Sequence, residues 1–121
     1  MRVCIADDID MNAKLMQKKL RTIHASCDFQ VVTCAEDALD HFQDFDLIII
    51  DNSFGFESMT GSVAIQNIRQ REAEMAEVTA VIIVLWTAEE IHDAPGADLI
   101  WSKAIAAHEM QAQLAPLLNI L

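Results

Sequence analysis

The sequence predicts a doubly wound α/β domain on a five-stranded parallel sheet, with a fourth helix that is short or absent. Three observations carry this prediction. Five short apolar runs recur along the chain, and stretches with apolar residues at helical spacing separate the first four. Two runs, Leu47–Ile50 and Ala80–Trp86, show no polar alternation, so both faces of the sheet must be covered. Strands joined by crossover helices lie parallel, and right-handed crossovers put helices on both faces.

Taken in order, the first run is Val3–Ala6, closed by Asp7-Asp8. Met16, Leu20 and Ile23 then recur at helical spacing from about Asp10 to His24. Phe29–Cys34 reads as the second strand, Glu36–Phe42 as a short helix with Ala38, Leu39 and Phe42 inward, and Leu47–Ile50 as the third strand. After a loop from Asp51 to Gly61, residues Ala64, Ile65 and Ile68 mark a helix expected to reach about Ala76. Its Arg69, Arg71, Glu72, Glu74 and Glu77 stand at near-helical pairing distances that suit a solvated face. Ala80–Trp86 is the fourth strand. Pro95-Gly96 then leaves Ala88–Gly96 room for roughly one or two helical turns at most. Ala97–Trp101 is the fifth strand, and the last helix begins near Ala104. With no internal repeat, low-complexity segment or linker, a single domain is expected across residues 1–121.

Composition narrows the function. No apolar stretch reaches the roughly 18 residues of a membrane span, and Met1-Arg2 leads straight into the first strand without a signal-peptide pattern, so a cytoplasmic location is expected. Cys4, Cys27 and Cys34 lack CxxC or Cys/His metal spacing and read as small buried hydrophobes; His24, His41, His92 and His108 have no ligand spacing either. A formal charge of −11 argues against direct nucleic-acid binding, which needs clustered cations. The cations that exist are unevenly placed. Lys14, Lys18, Lys19 and Arg21 crowd into the first helix, and Lys103 is the only Lys or Arg between Glu72 and Leu121.

Polar groups close four of the apolar strands: Asp7-Asp8 after the first, Asp51 after the third, Thr87 after the fourth and Lys103 after the fifth. In an open α/β sheet, ligands bind at that carboxyl edge where strand order reverses. Strand order 2-1-3-4-5 makes strands one and three neighbours there, bringing Asp8 and Asp51 together. Clustered carboxylates repel unless a cation sits among them, and oxygen-only ligands suit Mg²⁺. Phosphoryl transfer then needs positioning and charge neutralisation. Asp51 fits the carboxylate nucleophile, and Lys103 and the Thr87 hydroxyl fit partners for two phosphoryl oxygens. Taken singly, each of these residues has an ordinary explanation as a helix cap or turn residue. Their joint placement on one sheet edge is what points to chemistry.

In this order, Asp7-Asp8, Phe45-Asp46-Leu47-Ile48-Ile49-Ile50-Asp51, Met59-Thr60-Gly61, Thr87-Ala88 and Lys103 resemble the receiver domains of response regulators and hybrid histidine kinases, over essentially the whole chain. The resemblance implies a flavodoxin-like fold. It also implies Mg²⁺ held directly by Asp8 and Asp51, through water by Asp7, and by the backbone carbonyl of Ser53. The phosphodonor would be a phosphohistidine on a histidine kinase or phosphotransfer protein, and the chain a two-component signalling domain rather than an enzyme. Lys14, Lys18, Lys19 and Arg21 are the expected docking cations for that donor.

The pattern is broken in several places. Ala104 follows Lys103 where the family usually has a cis proline; a cis bond to alanine costs about 2.5–4 kcal/mol, so a trans bond is expected. Ile100 stands where the family often has a switching aromatic, beside Trp101. The long loop after Asp51 carries Phe54, Phe56 and Met59, expected to pack under the loop rather than form a contact surface. The missing proline and the shortened fourth-helix interval favour one competing reading, a pseudo-receiver that binds without being phosphorylated; the intact Asp7, Asp8, Asp51, Thr87 and Lys103 oppose it. A hydrolase of the haloacid-dehalogenase type is a second, on the spacing of Asp8-Ile9-Asp10, although that family normally needs a cap domain. A flavodoxin fits least, because its first loop cradles an anionic phosphate and this one is acidic. Output is expected to come from a partner or an attached domain.

Overall fold

The computed structural model describes residues 1–118. Along the chain it runs β1 (Arg2–Ala6), α1 (Asp10–Ile23), β2 (Asp28–Val32), α2 (Ala35–Asp40), a 3-10 turn (Phe42–Asp44), β3 (Leu47–Ile50), α3 (Gly61–Ala73), β4 (Ile82–Thr87), β5 (Leu99–Ser102) and α4 (Ala107–Leu118). The strands form one parallel sheet in the order β2-β1-β3-β4-β5, as expected from the alternation of apolar runs. The last three positions of the expected 1–121 span lie outside the described residues. No helix among the described residues is long and apolar enough to cross a membrane.

The twofold periodicity of the strands divides the core between the two sheet faces. Cys4, Ala6, Ile48, Ile50, Ile83 and Leu85 pack with Leu39, Phe42, Ile65 and Ile68 on the α2–α3 side. Val3, Ile5, Ile49, Val84 and Trp86 pack with Met16, Leu20, Met110 and Leu114 on the α1–α4 side. All four residues of β3 are fully buried, so truncating Ile49 to Ala would cost about 2–5 kcal/mol. Burial pushes the Cys4 thiol up to about 12, which makes it an inert core residue.

Several boundaries differ from expectation. β2 stops at Val32 rather than Cys34, because α2 begins at Ala35 and Cys34 is its capping residue. α3 stops at Ala73 rather than Ala76: the N–H of Glu74 turns back to the carbonyls of Arg71 and Glu72, which tightens and ends the helix. Arg69 and Glu72 are not on a solvated face. Glu72 is buried, its Oε2 accepting the Val81 N–H at 2.8 Å, while Arg69 Nη1 donates to Glu72 Oε1 and to the Val81 carbonyl, each at 2.7 Å. The same guanidinium reaches across the connection between β4 and β5, donating from Nε to the Gly96 carbonyl at 2.8 Å and from Nη2 to Asp98 Oδ2 at 2.9 Å.

This clamp stands where a fourth crossover helix would pack. Ala94 is buried beneath the connection and Ile91 and Ala97 pack on the same core, yet no helix forms between β4 and β5. Gly96 has φ +89°, and a Cβ there would press on Arg69 and Ile65, so only glycine closes the turn without strain. α4 begins at Ala107 rather than near Ala104, because Ile105 N–H bonds the Ser102 carbonyl in a separate turn. The Lys103–Ala104 bond is trans, there being no cis peptide among the described residues.

Candidate functional site

Register alone brings the first two carboxylates together. Ala6 on β1 pairs with Ile50 on β3, so Asp7 and Asp51 leave adjacent strands side by side. Their backbones continue the ladder: the Asp7 N–H donates to the Val32 carbonyl at 3.0 Å and the Asp51 N–H to the Ala6 carbonyl at 2.9 Å. With the exposed Asp8, they place one carboxylate oxygen each within 4.8 Å of one another. Asp7 and Asp51 are buried, with relative exposures of 1% and 7%.

Lys103 answers only part of this negative charge. Its Nζ lies 2.5 Å from Asp7 Oδ2 and 3.6 Å from Asp51 Oδ2. The other Asp7 oxygen accepts the Ile9 N–H at 2.9 Å, and Asp51 Oδ1 accepts the Asn52 N–H at 2.7 Å. Burial, joined by the neighbouring charge of Asp7, nevertheless raises the Asp51 carboxyl above its ordinary range, against the opposing pull of Lys103 and the backbone N–H groups of Ser53 and Asn52. One ammonium ion is set against three carboxylates. All-oxygen donors with unbalanced negative charge are the chemistry that a hard divalent cation satisfies.

Around this centre the loops approach closely. Thr60 caps α3 by accepting the Val63 N–H, and a Cβ at Gly61 would collide with the Asp51 carbonyl, so glycine is required there. The Asn52 side chain holds the start of α3 by accepting from Ser62 N and Oγ at 3.0 and 2.7 Å, and its Nδ2 reaches Glu89 Oε1 at 3.3 Å across the site. Thr87 is buried at the end of β4, and its Oγ1 accepts the Glu89 N–H at 3.0 Å, which leaves the hydroxyl proton to be donated elsewhere. The Lys103 N–H bonds the Thr87 carbonyl at 3.2 Å, so the ends of β4 and β5 present both side chains together. Ser53 is exposed two residues beyond Asp51.

The α1 cations separate into two groups. Lys14, Lys18 and Arg21 are exposed and line a shallow groove with Gln17 and Thr22, with Lys14 paired to Asp10 at 2.8 Å. That pairing places Asp10 on the α1 surface. Lys19 is half-buried instead, its Nζ donating to the Ile105 carbonyl at 2.6 Å. Of the loop aromatics, Phe54 packs on the α2–α3 core with Met59, whereas Phe56 is 94% exposed, against expectation; its neighbour Glu57 has φ +61°, a turn that carries the loop tip away from the core. Ile100 packs on the α2–α3 core, and Trp101 is buried on the other face with its Nε1 donating to Gln113 Oε1 at 2.8 Å.

Sequence reading missed the parts played by Asn52 and Glu89. A polar residue next to Asp51 and a carboxylate two residues after Thr87 were visible as types; their hydrogen bond depends on two loops meeting.

No protein-family model matches the sequence, and no curated protein matches it. Solved structures do. The N-terminal domain of a response regulator/sensory box/GGDEF three-domain protein from Carboxydothermus hydrogenoformans is similar with a TM-score of 0.76 at 18% identity, over 99% of this chain and 95% of that one. The fold is that of a receiver domain. Response regulator TrrA from Thermotoga maritima, in complex with Mg²⁺ and BeF, shares it with a TM-score of 0.76 at 20% identity, over 96% of this chain and 97% of that one. So does the receiver domain of a histidine kinase from Arabidopsis thaliana, complexed with Mg²⁺ and BeF₃⁻, with a TM-score of 0.72 at 17% identity, over 94% and 89% of the two chains. Within the receiver fold, the carboxylate cluster, Thr87 and Lys103 occupy the carboxyl edge of the sheet, and the crossover from β4 to β5, held by Arg69, contains no helix.

Proposed function

We propose that this chain is a phosphoryl-accepting receiver domain in two-component signalling, taking phosphate from a phosphohistidine onto Asp51 with Mg²⁺ as cofactor. One observation carries the reading. The carboxylates of Asp7, Asp8 and Asp51 converge within 4.8 Å at the sheet edge where Lys103 also arrives. The residues present fit the metal: Asp8 and Asp51 would hold Mg²⁺ directly, Asp7 through water, and the Ser53 carbonyl would complete the protein ligands. Bound there, the ion neutralises the carboxylates and the charge of the phosphoryl group.

The chain's own groups supply the rest. An Asp51 carboxylate oxygen forms the new P–O bond as the P–N bond of the phosphohistidine breaks and the imidazole leaves with the bonding electron pair. Lys103, within reach of both Asp7 and Asp51, neutralises a second phosphoryl oxygen. Thr87 donates its free hydroxyl proton to a third while still accepting from Glu89. The donor protein docks on α1, where the groove of Lys14, Lys18 and Arg21 offers positive charge on an acidic molecule and Ile9, Met11 and Leu15 are exposed beside it.

Incubation with acetyl phosphate and Mg²⁺, followed by intact-mass measurement, tests this. One added phosphoryl group is expected on wild type and none on Asp51→Asn or in EDTA. The absence of a crossover helix favours a second reading, the phosphorylation-independent pseudo-receiver, and unlabelled wild-type protein on a native fold would favour it over the first.

A further inference from the structure

Lys103 lies on the face of a tryptophan. Its Nζ stands 3.8 Å from the centroid of the Trp86 ring, and its side chain is only 20% exposed. Trp86 pairs in register with Trp101 and immediately precedes Thr87, so Lys103, two residues beyond Trp101 along the chain, returns to the same side of the sheet. The indole itself is 1% exposed, and its Nε1 is buried without a hydrogen-bond partner among the described residues. For packing alone that is a poor choice. A buried N–H without an acceptor is destabilising, and Leu or Phe would fill the position without one. What the indole adds is an electron-rich face under an ammonium ion that has lost most of its water, the setting in which cation–π attraction is strongest.

We propose that Trp86 is a positioning residue for Lys103, holding the ammonium ion between Asp7 and Asp51 so that it can meet a phosphoryl group on Asp51. The inference rests on the receiver reading. Asp7 holds the ammonium at 2.5 Å while Asp51 stands 3.6 Å away, so the ion must shift off Asp7 to meet a phosphoryl group on Asp51. The ring supplies a third, uncharged support from another side. It attracts the cation without fixing it to one oxygen, so Lys103 can move toward a phosphoryl group without leaving the site. The turn after Lys103 has a trans bond and no proline, which leaves this side-chain contact a larger share of the aiming.

The test compares acetyl phosphate labelling of Asp51 in wild type, Trp86→Phe, Trp86→Leu, Lys103→Met and the Trp86→Leu/Lys103→Met double variant. Trp86→Phe keeps a π face and should label within a few-fold of wild type; Trp86→Leu should be roughly tenfold slower. On the Lys103→Met background the leucine should make no further difference, because Trp86 acts through Lys103. Equal slowing on both backgrounds would mean a merely structural role and overturn the proposal, as would wild-type labelling by Trp86→Leu. A second arm needs no chemistry and no metal. In Trp101→Phe protein, where Trp86 is the sole tryptophan, Lys103→Met should change the Trp86 emission, and unchanged emission overturns the proposal even if the leucine variant fails to fold. Unlabelled wild-type protein would overturn the receiver reading along with it; labelled wild type with an indifferent Trp86→Leu would overturn this inference alone.

Discussion

A 2.6 Å hydrogen bond from Lys19 Nζ to the Ile105 carbonyl joins α1 to the turn that carries Lys103. Ser102 and Ile105 close that turn through their backbones, and Lys19 fixes its far side. A charged donor to a half-buried carbonyl contributes about 1.5–3 kcal/mol. Lys19→Met keeps the aliphatic stem and removes only the bond, so it should slow Asp51 labelling several-fold with acetyl phosphate and with a phosphohistidine protein alike. Lys18→Glu, on the exposed groove, should slow transfer from the protein donor only, and increasingly so at low ionic strength. Equal behaviour of the two variants toward both donors, measured by intact mass over time, would contradict this division of the α1 cations.

The Arg69 clamp should carry much of the stability of the β4–β5 connection. Its guanidinium serves Glu72, Asp98 and the carbonyls of Val81 and Gly96 at once. Lysine offers a point charge and cannot reproduce that fork. Arg69→Ala, which leaves Glu72 buried without its cation, should cost about 3–5 kcal/mol in urea unfolding, and Arg69→Lys most of it. A loss under about 1 kcal/mol for Arg69→Ala would show that the connection is held by its apolar residues instead.

Part of this was legible in the sequence and part was not, for physical reasons. Leu47–Ile50 announces a strand covered on both faces because four consecutive apolar residues have no polar face to show. Asp7, Asp51, Thr87 and Lys103 share an edge because parallel strands all end on one side, so strand order was enough to assemble them. Arg69 and Glu72 were misplaced because a charged pair at helical spacing looks the same whether it faces water or a backbone it serves; only the loop arriving at Val81 and Gly96 distinguishes the two. Trp86 reads as core from its neighbours, and core it is. Its contact with Lys103 depends on the register between β4 and β5, which periodicity does not specify.

Stability should depend on metal and pH through Asp51. Burial raises its carboxyl in the metal-free protein, above the ordinary unfolded value of about 3.9. A group raised on folding contributes stability that is fully present below its unfolded pKa and lost as pH rises through its folded pKa. Metal-free Asp51→Asn should therefore melt above wild type at pH 7, with the gap closing as pH falls through the folded pKa. Mg²⁺ binds the native state and should raise the wild-type Tm; at a hundred times its Kd it would add about 2.7 kcal/mol, and far less to Asp51→Asn. Calorimetry with EDTA and with Mg²⁺ checks both signs, and a wild type indifferent to Mg²⁺ would contradict the metal site.

Phosphorylation should be felt mainly in two loops. The Asn52–Glu89 hydrogen bond links the segment after Asp51 to the one after Thr87, and Glu89 is also tied to the Thr87 hydroxyl. A phosphoryl oxygen that draws in Thr87 must pull on that linkage. Hydrogen exchange with and without beryllofluoride should change in residues 53–59 and 88–96 and little in α4, whose Met110 and Leu114 are locked in the core. Changes confined to α4 would show that the signal leaves by another route.

A phosphoryl group transferred to this chain should form an acyl phosphate on Asp51, and chemical trapping reveals which carboxylate carries it. Borohydride reduces an acyl phosphate to an alcohol, so after acetyl phosphate and Mg²⁺ the residue at position 51 should lose one oxygen and gain two hydrogens while free carboxylates are untouched. Peptide mass spectrometry should find that change at Asp51, dependent on Mg²⁺. Finding it at Asp7 or Asp8, or at no residue of a natively folded protein, would exclude Asp51 as the phosphoryl acceptor.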